Sequence, residues 1–180
     1  VTVDFPDFNF WLAAAGRRLG LPVVYYVSPQ VWAWRRGRLR TLKQIVDRML
    51  VIFPFEEAVY RNAGIPVEFV GHPLVDLAKS RTTRAALLLE LGLAPTAPTV
   101  TLLPGSRPNE VRRLLPILVE AARITATSVP EVQFILARAP NLEDSLFSSV
   151  MHRREQGCPV VIEGRTDDAL SAADVVATAS

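Results

Sequence analysis

Strand-sized apolar runs alternate with longer amphipathic stretches from one end of the chain to the other. The runs fall at residues 1–3, 23–27, 48–53, 67–70, 99–103, 132–137, 159–163 and 174–177, and most are rich in Val, Ile, Leu, Tyr or Phe, as strands are. Between them the pattern predicts helices over 8–19, from just after Trp32 and Trp34 to about 46, from Pro54 to Gly64, and over 84–91, 109–127, about 142–155 and 167–172. Run 23–27 is apolar almost throughout, as in a parallel strand covered on both faces. Strands alternating with helices predict α/β architecture, with parallel sheets and right-handed crossovers. The rhythm breaks once. Helix 84–91 ends at Gly92 and the Pro- and Ala-rich APTAPT follows. The prediction is therefore two incomplete units, 1–80 and 99–180, with 81–98 as the linker region.

The helix boundaries carry local chemistry. Asp7 stands where an N-cap belongs, and Gly20 and Pro22 close that helix. Pro108 occupies a first helical position, where its missing N–H costs nothing, and Glu110 falls in the first turn. Between the strand 99–103 and that helix stand Gly105, Ser106 and Arg107. A helix start, a glycine turn and an arginine at the carboxyl end of a strand make a candidate anion site, weighed evenly against an ordinary loop with a solvated arginine. Asp4 follows a strand directly, where α/β proteins place ligand-facing acids, and its alternative is a solvated loop acid. His72, between Gly71 and Pro73, also ends a strand and reads first as a loop residue.

Composition narrows the classes. Hydrophobic residues make up 49%, enough for a core. The net charge is +2, so the chain as a whole is no polyanion binder, yet Arg35, Arg36, Arg38, Arg40 and Lys43 crowd together behind Trp32 and Trp34. Three readings of that stretch stay open: single-stranded nucleic acid binding, contact with a phosphorylated amphiphile at a membrane, and core tryptophans beside a solvated helix face. The one cysteine, Cys158, excludes an internal disulfide and fits a reducing compartment, and with two histidines it argues against a zinc site. No apolar run approaches the ~18 residues of a membrane span. The opening VTVDFPDF is not a signal peptide, and both ends read as cut from something longer. GxGxxG, GxxxxGK, GxSxG, HExxH and paired CxxC motifs are all absent.

Five motifs occur in a telling order: DFPDFN from Asp4, YYVSPQVWAWR from Tyr25, FPFE from Phe53, FVGHP from Phe69, and LLPGSR from Leu102 followed by NEV. Together they resemble the lipid-A-disaccharide synthases, glycosyltransferases of bacterial outer-membrane biosynthesis, over all 180 residues and in the middle of such an enzyme. Gln30 stands where that family commonly has Ser, and Phe53 where it has Leu. The resemblance implies a glycosyltransferase-B architecture of two Rossmann-like domains across a cleft, the first acceptor-side and the second nucleotide-sugar-binding. It implies transfer of 2,3-diacylglucosamine from UDP to 2,3-diacylglucosamine 1-phosphate with inversion, forming a β-1,6 disaccharide and releasing UDP. It implies no metal or other cofactor, no nucleic-acid partner, and a cytoplasmic enzyme peripheral on the inner membrane. By the same match Asp4 is the essential carboxylate and Arg107 the essential cation, with Gly105, Ser106, Ser28, Trp32, Trp34, Arg35 and His72 as binding residues. The rival readings are another UDP-sugar enzyme of this architecture, such as an N-acetylglucosaminyl transferase or a 2-epimerase, and a non-catalytic nucleic-acid binder.

Overall fold

The computed structural model describes residues 1–33, 37–151 and 157–179. The chain divides into two compact units, Val1–Leu77 and Ala78–Ser180. The first unit runs β1 (Thr2–Val3), α1 (Pro6–Arg18), β2 (Val24–Tyr26), α2 (Arg38–Ile45), β3 (Arg48–Val51), α3 (Pro54–Asn62), β4 (Val67–Phe69) and α4 (Leu74–Leu77). Its sheet is wholly parallel in the order β1-β2-β3-β4, with Thr2 opposite Tyr25, Tyr25 opposite Met49 and Met49 opposite Val67. Tyr25, Met49 and Val51 are fully buried with Val31, Leu42 and Tyr60, whereas Val24, Tyr26 and Leu50 on the alternate face are only half buried. In this strand order every crossover advances in one direction, and α1, α2 and α3 bury Ala13, Leu42 and Tyr60 against the Tyr25 face.

The second unit runs α5 (Arg84–Glu90), β5 (Thr99–Leu103), α6 (Pro108–Ser128), β6 (Gln133–Arg138), a 3-10 turn Asp144–Phe147, β7 (Val160–Glu163), α7 (Thr166–Ala172) and β8 (Val175–Thr178). Its parallel sheet has the order β7-β6-β5-β8, so the direction of winding reverses beside β5. That reversal gives the sheet two covered faces. Val111, Leu115, Val119, Ala122 and Ala126, spaced along one side of α6, pack with Leu136 and Phe147. Leu87 and Leu88 of α5 pack with Ile135, Ala137, Ile162, Ala169 and Ala172. The helix predicted over 142–155 does not form in its described part, which holds only the 3-10 turn. Arg138 Nη2 donates to the Leu142 carbonyl and Nη1 pairs with Asp144, which takes that carbonyl out of a helical ladder. Residues 152–155 of that prediction lie outside the described residues.

One arginine ties the second unit together. Arg84 donates to the carbonyls of Ala172 at 2.6 Å and Ala97 at 3.0 Å, and to Asp174 Oδ2 at 2.8 Å. Asp174 also accepts the Thr99 N–H at 2.8 Å, and these bonds, the guanidinium's first, hold its carboxyl below the usual range. Buried Asp168 does the same for residues 80 and 81. It accepts from Arg165 Nε at 2.9 Å, Arg81 N at 2.6 Å and Ser80 Oγ at 3.0 Å, and Arg165 above all lowers its pKa.

Two outcomes are expected. Arg84→Ala removes the donor that joins the Ala172 carbonyl, the Ala97 carbonyl and Asp174 and lowers stability to urea by on the order of 3 kcal/mol, while Arg84→Lys recovers only part because one ammonium cannot span them. Both Asp168 and Asp174 have folded pKa values below their unfolded ones, so their contribution is full above the ordinary aspartate value of about 4 and is lost as pH falls through the folded values. Thermal melts from pH 7 to pH 3 should show a flat midpoint that declines below about pH 4, with a shallower decline in Asp168→Asn.

Candidate functional site

A cavity of about 670 Å³ opens in the first unit beyond the carboxyl ends of β1, β2 and β3, lined by Asp4, Asp7, Ser28, Gln30, Arg38 and Glu56 among others. Strand ends and the loops that leave them converge there, as in open α/β sheets generally. Asp4 and Phe5 both take left-handed backbone, at φ 48° and 35°, between β1 and the Pro6 that starts α1. Such conformations cost of order 1–3 kcal/mol each unless surroundings hold them. Here the Asp4 carbonyl accepts from Asn9 Nδ2 at 2.6 Å and from the Tyr25 hydroxyl at 2.7 Å, while Asn9 also reaches the Val3 carbonyl at 2.8 Å. The Tyr25 phenol is pushed up to about 12, by burial first and by the Asp4 charge second, so it remains a donor at neutral pH. The peptide of Asp4 is thereby fixed through its main chain, and Asp4 lines the cavity.

Asp7 is not the N-cap. Proline starts α1 one residue earlier and no side chain caps it, so Asp7 lies in the first turn and accepts from Arg38 Nη2 at 2.8 Å, with its side chain 76% exposed. Arg38 in turn lies over the Phe10 ring, 5.2 Å from its centre. At this one of the five clustered basic residues, the solvated-face reading therefore gives way to a half-buried cation built into the cavity wall.

Sequence reasoning did not single out Glu56, which is 1% exposed. Its Oε1 accepts from Ser28 Oγ at 2.5 Å and from Trp32 Nε1 at 3.4 Å, and its Oε2 accepts from the Phe53 N–H at 3.1 Å. The available signal was local: Pro54 at a helix start and Glu56 at the third helical position form the glutamate half of a capping box. Ser28 and Trp32 thus share one buried carboxylate. Trp32 meets Phe55 edge to face at 5.0 Å, Phe55 stacks on Phe53 at 5.7 Å, and Phe53 meets His72 at 5.7 Å. His72 Nδ1 accepts the Leu74 N–H at 3.1 Å, a turn contact that puts the neutral ring's proton on Nε2. Trp34 and Arg35 lie outside the described residues.

In the second unit a cavity of about 300 Å³ sits where the strand order reverses, lined by Gly105, Ser106, Glu110, Thr178 and Ala179 among others. The loop after β5 already holds an anion of its own. Glu110 Oε2 accepts from Ser106 N at 3.1 Å and Arg107 N at 3.2 Å, and Oε1 from Arg107 Nη1 at 2.7 Å. The guanidinium above all, then the two amides, hold the Glu110 carboxyl below its ordinary range. Gly105 is required for this arrangement. Its φ is +115°, and a Cβ there would stand 2.6 Å from Glu110 Oε2 and 2.7 Å from its Cβ. Arg107 remains 79% exposed beyond that single tether.

Among the described residues no helix is long and apolar enough to cross a membrane, and no group of three or more His, Cys, Asp and Glu side chains gathers as a metal site would. A family model described as lipid-A-disaccharide synthetase matches residues 1–180. The chain is 47% identical over 180 residues to the lipid-A-disaccharide synthase of Syntrophus aciditrophicus, covering all of the chain and 47% of that protein. It is 46% identical over 183 residues to that of Myxococcus xanthus and 42% identical over 181 residues to that of Geobacter metallireducens, in each case with all of the chain and 47% of the relative covered. The chain spans about half the length of the curated relatives it matches.

The two acids of DFPDFN should separate on substitution of their supports. Asn9→Ala removes the donor to two carbonyls and is expected to cost about 1–3 kcal/mol in chemical denaturation. Asp7→Ala breaks only an exposed ion pair and should cost less than about 1 kcal/mol. A larger loss for Asp7→Ala than for Asn9→Ala would return Asp7 to a capping role.

Proposed function

The chain belongs to the lipid-A-disaccharide synthetase family, and from that premise we propose that it carries both halves of an inverting glycosyl transfer. The donor is UDP-2,3-diacylglucosamine and the acceptor 2,3-diacylglucosamine 1-phosphate. The acceptor's 6-hydroxyl oxygen attacks the anomeric carbon, the bond from that carbon to the UDP oxygen breaks, the hydroxyl proton passes to a base, and UDP leaves with the bonding pair. Asp4 is the base. The observation that carries this is its placement: a carboxylate at a strand end, in a 670 Å³ cavity, on a peptide held left-handed by Asn9 and Tyr25. All the structural bonds named for Asp4 involve its main chain, which leaves the carboxylate for chemistry.

Arg107 meets the charge that grows on the departing phosphate. Glu110 engages one guanidinium nitrogen and braces the side chain, while an arginine has five N–H donors in a planar fork. Preorganised donors of this kind are worth most where charge develops. Peripheral attachment to the cytoplasmic face of a bilayer belongs to the same proposal. Exposed Phe8 and Trp11 on α1, the latter 82% exposed, support it, with Arg17 and Arg18 in the helix's last turn. Trp32 supports it less, since its N–H faces Glu56.

The test is release of UDP by the full-length protein, with acylated and with non-acylated sugar pairs. Turnover is expected only with the acylated pair. Equal turnover with non-acylated sugars would move the protein to another UDP-sugar enzyme. Asp4→Asn should abolish turnover while leaving the melting midpoint within a few degrees of the parent. Arg107→Ala should lower kcat by roughly 100- to 1,000-fold, and Arg107→Lys should restore a minor part. An Arg107→Ala protein with intact kcat and a raised acceptor KM would assign Arg107 to the acceptor's 1-phosphate instead.

A further inference from the structure

Glu56 is the most deeply buried carboxylate beside the first unit's cavity, and the reaction as proposed above makes no use of it. Its three partners are not equivalent. The indole N–H of Trp32 and the main-chain N–H of Phe53 can only donate. Ser28 alone has a choice, because a hydroxyl carries one hydrogen and two lone pairs. Glu56 Oε1, which also receives the Trp32 N–H, lies 2.5 Å from Ser28 Oγ and accepts from it, so the Ser28 hydrogen is committed to Glu56. Next along the chain, the Tyr60 hydroxyl donates to the Pro29 carbonyl at 3.0 Å, so the main chain that bears Ser28 is clamped as well. Ser28 and Glu56 both line the cavity, and so does Asp4.

We propose that Glu56 is a positioning residue: it fixes the direction of the Ser28 hydroxyl, so that Ser28 Oγ presents only lone pairs to the cavity and receives a hydrogen bond from a hydroxyl of the acceptor sugar. The hydroxyl received is one other than the reacting one, whose proton goes to Asp4. The inference rests on the glycosyl-transfer reading above and adds to it a polarity at one subsite. A donor hydroxyl on the sugar is accepted there, and an oxygen without a hydrogen, such as an ether or ester oxygen at the same position, is refused.

The test is steady-state kinetics of the full-length protein, with donor and acceptor varied separately. Ser28→Ala is expected to raise the acceptor KM about 10-fold, as loss of one such hydrogen bond does, with the donor KM unchanged, and Ser28→Thr should restore most of the loss. Glu56→Gln should move the acceptor KM the same way, because its amide can donate to Ser28 Oγ and free the Ser28 hydrogen to turn. The 4-deoxy acceptor, which lacks the one sugar hydroxyl left beside the reacting 6-hydroxyl, supplies a readout that a purely structural role would leave still: its KM should be the same with the parent and with Ser28→Ala. If Glu56→Gln does not fold, Ser28→Ala and the 4-deoxy acceptor decide alone. Acceptor KM within twofold of the parent in Ser28→Ala, with the 4-deoxy acceptor bound by the parent as well as the full acceptor is, would overturn the proposal and reduce Glu56 to a helix cap. A parent protein that releases no UDP from an acylated pair would instead overturn the glycosyl-transfer reading itself, and this inference with it.

Discussion

A β-strand can be followed by a parallel neighbour only through a crossover, and that crossover is right-handed. Both sheets are parallel throughout, and the placement of Asp4, Ser28 and the Gly105–Arg107 loop at strand ends follows from that. Parallel strands gather their carboxyl ends at one edge, so Asp4, Ser28 and Phe53 emerge together although they are far apart in sequence. The same rule separates the two sheets in character. Sequential winding covers one face of the first sheet, while reversal beside β5 covers both faces of the second and opens a crevice between the ends of β5 and β8.

Loops at these edges carry main-chain N–H groups that need partners, and the chain meets the need twice with one device. Phe53-Pro54-Phe55-Glu56 and Arg107-Pro108-Asn109-Glu110 both start a helix with proline and return a glutamate to the amide before it, at 3.1 and 3.2 Å. What differs is the second carboxylate oxygen. In the first unit it turns into the interior and takes Ser28 and Trp32. In the second it faces outward and takes a guanidinium. A local cap thus becomes either a buried organiser of a cavity or a brace on an exposed cation, according to the neighbours the fold supplies.

The Asp4 loop works differently. No glycine relieves its two left-handed residues, and the compensation comes from a side chain four residues on in α1 and from a tyrosine in β2. Backbone strain in this loop is thus held by tertiary contacts rather than relieved locally.

Local rules determined much of this protein from the sequence alone. The strand Thr99–Leu103 and the helix that begins at Pro108 match the reading closely, because a Pro-Gly stop, a proline start and an apolar run act within a few residues. The two parallel sheets follow from the alternation of period and length, and the family from motifs whose order survives in one dimension. Tertiary structure decided the rest. It made Asp7 an ion-pair partner of Arg38, 31 residues on, because α1 starts a residue before the expected cap; the segment 142–151 stays out of a helix for a more local reason, since Arg138 captures the Leu142 carbonyl four residues on. It buried Glu56, which reads in sequence as an ordinary first-turn acid, because its acceptors meet Ser28 and Trp32 only once β2 and β3 lie side by side. Contacts between residues distant in the chain leave no periodic mark, so only the folded molecule shows that Glu56 is buried against Ser28 and that Asp7 pairs with Arg38.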